Sequence, residues 1–201
     1  APRRSTTPSM RIVGGRHRGR RLAAPPGAVI RPTSDRAREA VFNILAHGPF
    51  GTGGASVIAG AVVLDAFCGT GALGLEALSR GAARAIFVDN EPAALTAARA
   101  NIAALNEQEK SRVVAADATR PPPRPKDLPP ATLAFFDPPY ADNTGAAALA
   151  AFAAQGCLAP GALAVVEVSA KAAETAAPAG FEMLESRRYG AARVLLLRWK
   201  S

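Results

Sequence analysis

The motif Asp137-Pro138-Pro139-Tyr140 groups residue types that can handle an amine on a flat heteroaromatic ring. Its consecutive prolines fix the backbone and remove two N–H donors, so the Asp137 carboxylate and the Pro138 carbonyl remain as acceptors. An exocyclic base amine has two N–H donors, and acceptance of both shifts its nitrogen towards sp³ character and aims its lone pair at an electrophile. Tyr140 offers an aromatic face on which the base can stack. We predict that these four residues are catalytic, with a structural turn after a strand as the alternative.

A glycine-rich segment at 69–74 matches the pattern G-x-G-x-x-G, and Asp89 follows about 20 residues later, as in dinucleotide-binding proteins. This pattern alone leaves NAD open as the cofactor. Asp65 lies just before the glycines, where a carboxylate repels a pyrophosphate but suits the ammonium of a methionine moiety. Asp117 offers a polar group for an adenine amine. Together these residues favour S-adenosylmethionine, and the predicted cofactor-binding set is Asp65, Phe67, Gly69, Gly71, Asp89, Asn90, Asp117 and Ala118.

Strands alternate with helices from residue 61 onward, which is typical of a parallel sheet covered by helices. We predict five such strands, at 61–65, 85–89, 112–117, 133–137 and 162–168, followed by an antiparallel pair at 181–188 and 193–199. Predicted helices occupy 73–80, 146–154 and a segment that begins at Pro92, and the proline-rich connection at 119–130 is expected to hold at most a partial helix. The fold class is a Rossmann-like class I methyltransferase with a mostly parallel seven-stranded sheet.

Four carboxylates lie at the predicted carboxyl ends of strands: Asp65, Asp89, Asp117 and Asp137. Ligands of open α/β sheets bind at this edge, near the point where the strand order reverses. A single aspartate in such a place is often only a turn residue. Four in succession favour a binding site.

The net charge of +8 is concentrated at one end of the chain. Residues 1–36 hold nine arginines and one acid, while the other 165 residues hold 15 basic and 15 acidic side chains. A neutral body with a basic arm predicts a polyanionic partner, because each cation that meets a phosphate releases counterions. Nucleic acid is favoured over a membrane surface, since the arm has no amphipathic helix with an apolar face. The predicted RNA-binding residues are Arg11, Arg16, His17, Arg18, Arg20, Arg21, Arg31 and Arg36.

The domain prediction has four parts. Residues 1–9 are a disordered tail, 10–46 a basic hairpin and helix, 47–60 a flexible glycine-rich loop, and 61–201 the cofactor-binding catalytic domain. The hairpin is expected to form two short strands around its glycines, and the helix after it to expose Arg36 and Arg38. Cys68 and Cys157 lack the spacing of a zinc site, so no metal is predicted and both are expected as reduced thiols. The sequence has neither an apolar run long enough to span a membrane nor a signal peptide, so we expect a cytoplasmic protein. We also expect a monomer.

Several motifs resemble the RsmD family of bacterial 16S rRNA guanine-N2 methyltransferases. They are Arg11-Ile-Val-Gly-Gly, Arg18-Gly-Arg-Arg-Leu22, Arg31-Pro-Thr-Ser-Asp-Arg-Ala-Arg-Glu39, Phe42-Asn43, the segment 65–81 and Asp137-Pro-Pro-Tyr140. The resemblance spans Met10 to about Trp199 and departs from the family in the tail and in a glycine-rich insert at 50–60. It implies methylation of one guanine N2 in small-subunit rRNA, on an assembled or partly assembled 30S subunit. The target base must be flipped out or lie in an open loop.

Three other functions share part of this pattern. A DNA adenine-N6 methyltransferase uses a similar motif but usually needs a separate target-recognition region, for which this chain has little room. A protein glutamine methyltransferase leaves the basic arm unexplained. An RNA-binding ribosome-assembly factor without turnover would not need the intact Asp-Pro-Pro-Tyr motif.

Overall fold

A computed structural model describes residues 10–25, 34–139, 144–171 and 176–201. The predicted tail at 1–9, Arg31 and Tyr140 lie outside these residues. The helices are α1 (Ser34–His47), α2 (Ala72–Ser79), α3 (Pro92–Ala104) and α4 (Thr144–Ala154), with 3₁₀ turns at Gly15–His17, Thr52–Gly54 and Gln108–Lys110. The strands are β1 (Val62–Ala66), β2 (Arg84–Asp89), β3 (Ser111–Ala115), β4 (Ala131–Phe136), β5 (Leu158–Ser169), β6 (Phe181–Tyr189) and β7 (Ala192–Trp199).

The seven strands form one sheet in the order β3-β2-β1-β4-β5-β7-β6. Strands β1 to β5 pair in parallel, and β7 runs antiparallel to both β5 and β6. The predicted mostly parallel sheet with an antiparallel C-terminal hairpin is therefore confirmed. Its order reverses between β1 and β4, because the chain builds outward to β3 and then returns to β4 beside β1.

Two edges of this sheet matter for function. We call the carboxyl edge the one where β1 to β5 end, and the amino edge the one where they begin. Since Ser169 of β5 pairs with Ala192 of β7, and Ala192 with Tyr189 of β6, the β6–β7 turn also lies at the carboxyl edge. Loops from both halves of the sheet therefore meet there.

Both faces of the central strands are buried, as their continuous apolar runs predict. On one face α1, α2, α3 and the N-terminal segment pack over Val63, Phe87 and Phe135. On the other face α4 packs through Phe152 against Phe136, with ring centroids 5.6 Å apart. These two cores fix the ends of β1 and β4 relative to each other.

The N-terminal segment is a looped hairpin rather than the predicted pair of strands. A single antiparallel bridge joins Arg11 and Arg21, and Ile12 N–H donates to the Arg20 carbonyl at 2.9 Å. Gly15 has a φ of 73°, and a Cβ there would lie 2.0 Å from the carbonyl oxygen of Ser79. The strand prediction was wrong because this turn follows the surface of α2, which bends the chain away from strand geometry. Ile12 is buried in the core below it.

Two connecting segments complete the description. Residues 119–130 form turns without the partial helix that the sequence allowed. The loop at 47–60 buries Ile58, and its predicted flexibility stays a prediction. No helix among the described residues has the length and apolar character needed to cross a bilayer.

Candidate cofactor and substrate site

The four predicted carboxylates lie along the carboxyl edge in the spatial order Asp117, Asp89, Asp65 and Asp137, which follows from the strand order. Asp65 belongs to β1 and pairs in register with Phe135 of β4, and Asp137 directly follows β4. These last two residues therefore flank the position where the strand order reverses, which is where open α/β sheets bind ligands.

Asp65 is buried, and its Oδ2 accepts a hydrogen bond from the Gly74 N–H at 2.8 Å. Burial, together with the neighbouring carboxylates of Asp137 and Asp89, raises the pKa of Asp65 to about 8, against the Gly74 hydrogen bond, which lowers it. Three of the four carboxylates are thus close enough to influence one another. Their combined field attracts a cation, which suits the ammonium and sulfonium groups of S-adenosylmethionine.

Asp89 ties the glycine-rich loop to β2. Its Oδ2 accepts from the Gly69 N–H at 2.9 Å and its Oδ1 from the Glu91 N–H at 2.9 Å. Each carboxylate oxygen has a further lone pair, so Asp89 can still accept from ribose hydroxyls. Its neighbour Asn90 is exposed at the same edge.

The loop after β1 has an unusual backbone. Gly69 and Gly71 have φ values of 54° and 79°, and Phe67 has a φ of 60°, a conformation that is costly for a side chain of its size. A Cβ on Gly69 would meet nothing within 4 Å, so the space beside this backbone is open. Strain of this kind is typical of functional sites. An open stretch of backbone bordered by Asp65 and Asp89 fits the predicted cofactor.

Asp117 differs from the other three carboxylates. It is exposed, and its Oδ1 accepts from both the N–H and the Oγ1 of Thr119, at 2.8 and 2.7 Å. These hydrogen bonds lower the pKa of Asp117. The structure turns this carboxylate towards its own loop, while Ala118 is buried. Adenine contacts by Asp117 and Ala118 stay predictions.

The proposed catalytic motif leaves the sheet at the end of β4. Asp137 and Pro139 are exposed, whereas Pro138 is buried. A Cβ added to Gly145 would lie 3.5 Å from Pro138 and 2.8 Å from Val166, so Pro138 packs beneath the start of α4. This packing holds the backbone of the motif in place beside an exposed carboxylate. The predicted stacking residue Tyr140 lies outside the described residues.

Three residues of the predicted RNA-binding set, Arg16, His17 and Arg20, lie far from this motif. Helix α2 runs from the carboxyl edge to the amino edge over about 12 Å, and the tip of the N-terminal hairpin contacts its far end at Ser79. Arg16 and His17 bind Glu107, which follows α3 and is buried, with His17 Nε2 2.6 Å from Glu107 Oε1. Arg20 donates to the Ala104 carbonyl at 2.7 Å.

The other end of the hairpin reaches the carboxyl edge. Met10 Sδ accepts a hydrogen bond from Thr70 Oγ1 at 3.3 Å, and Arg11 lies 3.5 Å from Asp35 at the start of α1. Arg11 and Arg36 are both exposed here, as is Arg21 opposite Arg11. The arm therefore extends along the whole flank of the molecule instead of gathering beside the motif.

The expectation that Arg38 is exposed was wrong. Arg38 is buried, binds Asp35 at 2.7 Å and donates to the Arg11 carbonyl. Glu76, which is also buried, lies 3.9 Å from Arg38 and accepts hydrogen bonds from the N–H of Val13 and the side chain of Arg80. The paired charges explain why Arg38 is inside, since a buried cation needs a partner. This network joins the arm to α1 and α2.

Asn101 is a residue that sequence reasoning missed. It is buried in α3, and its amide donates to the carbonyls of Thr70 and Ala23, each at 2.9 Å, while its Oδ1 accepts from the Ala23 N–H at 2.7 Å. It thus connects the glycine-rich loop to the N-terminal segment. The sequence did contain a signal for its role, because asparagine is a poor helix former and Asn101 lies in a helical segment otherwise rich in alanine.

Comparisons with known proteins identify the family. The family model described as Conserved hypothetical protein 95 matches residues 10–198. Ribosomal RNA small subunit methyltransferase D of Escherichia coli K12 is 40% identical over 139 residues, covering 69% of this chain and 64% of that protein. The chain belongs to this family. Its namesake in Haemophilus influenzae is 31% identical over 159 residues, covering 79% of this chain and 78% of that protein.

A solved structure agrees with the assignment. The putative methyltransferase YhhF of Escherichia coli superimposes with a TM-score of 0.78 at 31% identity, covering 96% of this chain and 98% of that one. The chain spans 55–64% of the length of the first curated relatives it matches. The predicted RsmD resemblance and methyltransferase fold are confirmed, and S-adenosylmethionine as cofactor is confirmed for the family.

Proposed function

We propose that this protein transfers the methyl group of S-adenosylmethionine to the N2 amine of a guanine in 16S rRNA of the small ribosomal subunit. One observation carries the proposal. The loop after β1, with its open backbone beside Gly69, and the motif after β4 leave the sheet from neighbouring strands at the same edge. In this proposal a binding site for the cationic cofactor and a pair of acceptors for the amine would lie side by side. The names of the relatives support rRNA as the substrate.

The cofactor would be held by the loop after β1 and by the carboxylates around it. Asp65 would face the ammonium group, Asp89 the ribose hydroxyls, and the open backbone around Gly69 and Gly71 the methionine part. Phe67, Asn90, Asp117 and Ala118 complete the proposed set. S-adenosylmethionine supplies a methyl group on an electrophilic sulfonium, so correct placement of the amine accounts for much of the rate.

The residues after β4 would orient the amine. The Asp137 carboxylate and the Pro138 carbonyl each accept one N–H of the guanine N2, which turns the nitrogen lone pair out of conjugation with the ring. The methylated nitrogen then gives up one proton, and the exposed Asp137 can pass that proton to solvent. Tyr140 is proposed to stack on the flipped base, with a stacking energy of about 1–3 kcal/mol.

The basic arm would bind rRNA around the target. Arg18, Arg21 and Arg36 are exposed and available for phosphates. Arg11 is exposed as well but lies 3.5 Å from Asp35, and Arg16 and His17 bind Glu107. The 30S subunit as substrate, the monomeric state and the cytoplasmic location stay predictions.

Labelled S-adenosylmethionine tests the proposal when offered with unmethylated 30S subunits, naked 16S rRNA and duplex DNA. We expect label only in ribosomal RNA, and nucleoside analysis should identify N2-methylguanosine. Asp137→Ala, with cofactor binding measured by calorimetry, is the control for the site. Label in DNA, or a methylated adenine, would contradict the proposal.

A further inference from the structure

A second group of basic residues lies at the carboxyl edge, on strands that the charge distribution along the sequence did not single out. Arg188 is near the end of β6, Arg193 near the start of β7, and Lys171 follows β5. The antiparallel pairing of β7 brings all three to the edge where β4 ends at the proposed catalytic motif.

Arg188 and Arg193 are direct cross-strand partners in the antiparallel pair of β6 and β7. Their side chains therefore project from the same face of the sheet, and like charges placed directly opposite each other are destabilising. Arg188 Nε donates to the Gly190 carbonyl and Arg193 Nη2 to the Ala170 carbonyl, both at 3.2 Å. Within the described part of the chain neither arginine has an acidic partner.

Arg187 provides the contrast. It projects from the opposite face of β6, where it pairs with Glu185 at 2.5 Å. Its charge is balanced locally, as expected for an arginine that only supports the fold. Among the described residues the Arg188–Arg193 pair has no such balance, and a polyanion that bound there would offset the repulsion.

The position of the pair suits a substrate that enters at Asp137. Val168 of β5 pairs with Arg193, and Val166, on the same face, pairs with Phe136 of β4. Two strand spacings separate β7 from β4, which is about 10 Å at roughly 4.8 Å each. A few nucleotides of an RNA strand cover that distance. The tip of the N-terminal hairpin, by contrast, lies at the amino edge.

We propose that Arg188 and Arg193, assisted by Lys171, bind phosphates of the RNA strand next to the target guanine. This inference rests on the proposed function and adds a second RNA-binding surface to it. The guanidinium group can bind a phosphate through two parallel hydrogen bonds, so two adjacent arginines suit consecutive phosphates. The hairpin arm would then contact a more distant part of the RNA.

The test compares two double variants in the full chain. Arg188→Gln with Arg193→Gln removes the proposed surface, and Arg84→Gln with Arg112→Gln removes the same charge from exposed positions near the amino edge. Binding to 16S rRNA and to 30S subunits is measured by salt titration, without turnover. We expect the first variant to bind about tenfold more weakly and the slope of log K against log salt to fall by about 1.4–1.8. The second variant should change neither quantity by more than about twofold.

Two further measurements separate binding from folding. Removal of opposed charges should leave the thermal midpoint unchanged or raise it, and cofactor affinity should be unchanged. Arg188→Lys with Arg193→Lys keeps the charge and should retain most of the salt slope. If the double glutamine variant has a lower thermal midpoint, RNA binding by Arg188→Gln alone becomes the deciding measurement. That substitution removes only a hydrogen bond within the β6–β7 turn.

The inference is overturned if the glutamine pair binds RNA with the same affinity and salt slope as the Arg84/Arg112 variant. A wild-type protein that binds RNA but does not methylate it would contradict the proposed function instead. Because binding and turnover are measured separately, the two failures are distinguishable.

Discussion

The loops after β1 and β4 each place an aspartate at the same edge of the sheet, yet the two carboxylates have opposite surroundings. Asp65 is buried, accepts a backbone hydrogen bond, and has a pKa raised to about 8. Asp137 is exposed at the end of β4. Burial, and not residue type, therefore separates their two proposed roles, which are to face a cationic cofactor and to exchange a proton with solvent. Five predictions test this comparison, from the largest expected effect to the smallest.

Replacement of Asp137 should have the largest effect, and only on turnover. Asp137→Asn keeps the size of the side chain but removes the charge that accepts from the amine, so kcat should fall about 100-fold or more. Cofactor affinity, measured by calorimetry, should stay within about threefold of wild type. A variant that lost both cofactor binding and turnover would contradict the separate roles proposed for Asp65 and Asp137.

Replacement of Asp65 should show the reverse pattern. Asp65→Asn can still accept the Gly74 hydrogen bond but offers no charge to the cofactor ammonium, which should cost about 2 kcal/mol or more of binding free energy. In the wild type, binding of a cation favours the ionised carboxylate. Calorimetry near pH 7 in buffers of different ionisation enthalpy should therefore detect proton release that Asp65→Asn lacks.

The same residue predicts how stability depends on pH. Below the ordinary pKa of 3.8 Asp65 is protonated in both the folded and unfolded states, and its burial carries no penalty. Between about pH 4 and pH 8 only the unfolded chain releases the proton, so the stability of the cofactor-free protein falls as pH rises. Asp65→Asn should raise the thermal midpoint more at pH 8.5 than at pH 4.5. An equal gain at both values would contradict the raised pKa.

Asn101 tests the same difference between the two loops, because in the described part of the chain it contacts the loop after β1 and not the one after β4. Asn101→Ala leaves the part-buried carbonyl of Thr70 and both backbone groups of Ala23 without these partners, which should cost about 1–3 kcal/mol of stability. We expect weaker cofactor binding with little change in kcat at saturating cofactor. Thr96→Ala, on the exposed face of the same helix, is the matched control. A fall in saturated kcat would show that Asn101 also positions the motif after β4.

Substitution of arginines at the hairpin tip should have the smallest effects. The kind of effect should depend on whether the arginine binds an acidic residue. Arg18→Gln removes an exposed charge and should lower the salt slope of RNA binding by about 0.7–0.9 without loss of stability. Arg16→Gln instead leaves buried Glu107 without one of its two partners, so its main effect should be a lower thermal midpoint. Urea unfolding and a salt titration on both variants measure the contrast. Identical behaviour of the two would contradict it.

Local patterns were enough to predict much of the fold. Continuous apolar runs marked β1, β2, β4 and β5, and the glycines and Pro92 marked the starts of α2 and α3, because these features act through neighbouring residues. The motif after β4 was found in the same way. Local patterns could not show that Arg38 is buried, since its partner Glu76 lies 38 positions away and meets it only after α1 packs on α2.

By itself, the sequence determined the class of fold and the family, and it predicted the chemistry at the carboxyl edge, since these follow from short motifs and from the order of strands and helices. Only the tertiary structure decided where the charged side chains lie relative to the carboxyl edge. Pairing of β7 with β5 carries Arg188 and Arg193 to the edge of Asp137, while the path of the hairpin along α2 takes Arg16 and His17 away from it. A count of charged residues along the sequence does not show how far apart they lie in the folded protein. Electrostatic interaction depends on that distance and on burial, and both are fixed only when the chain folds.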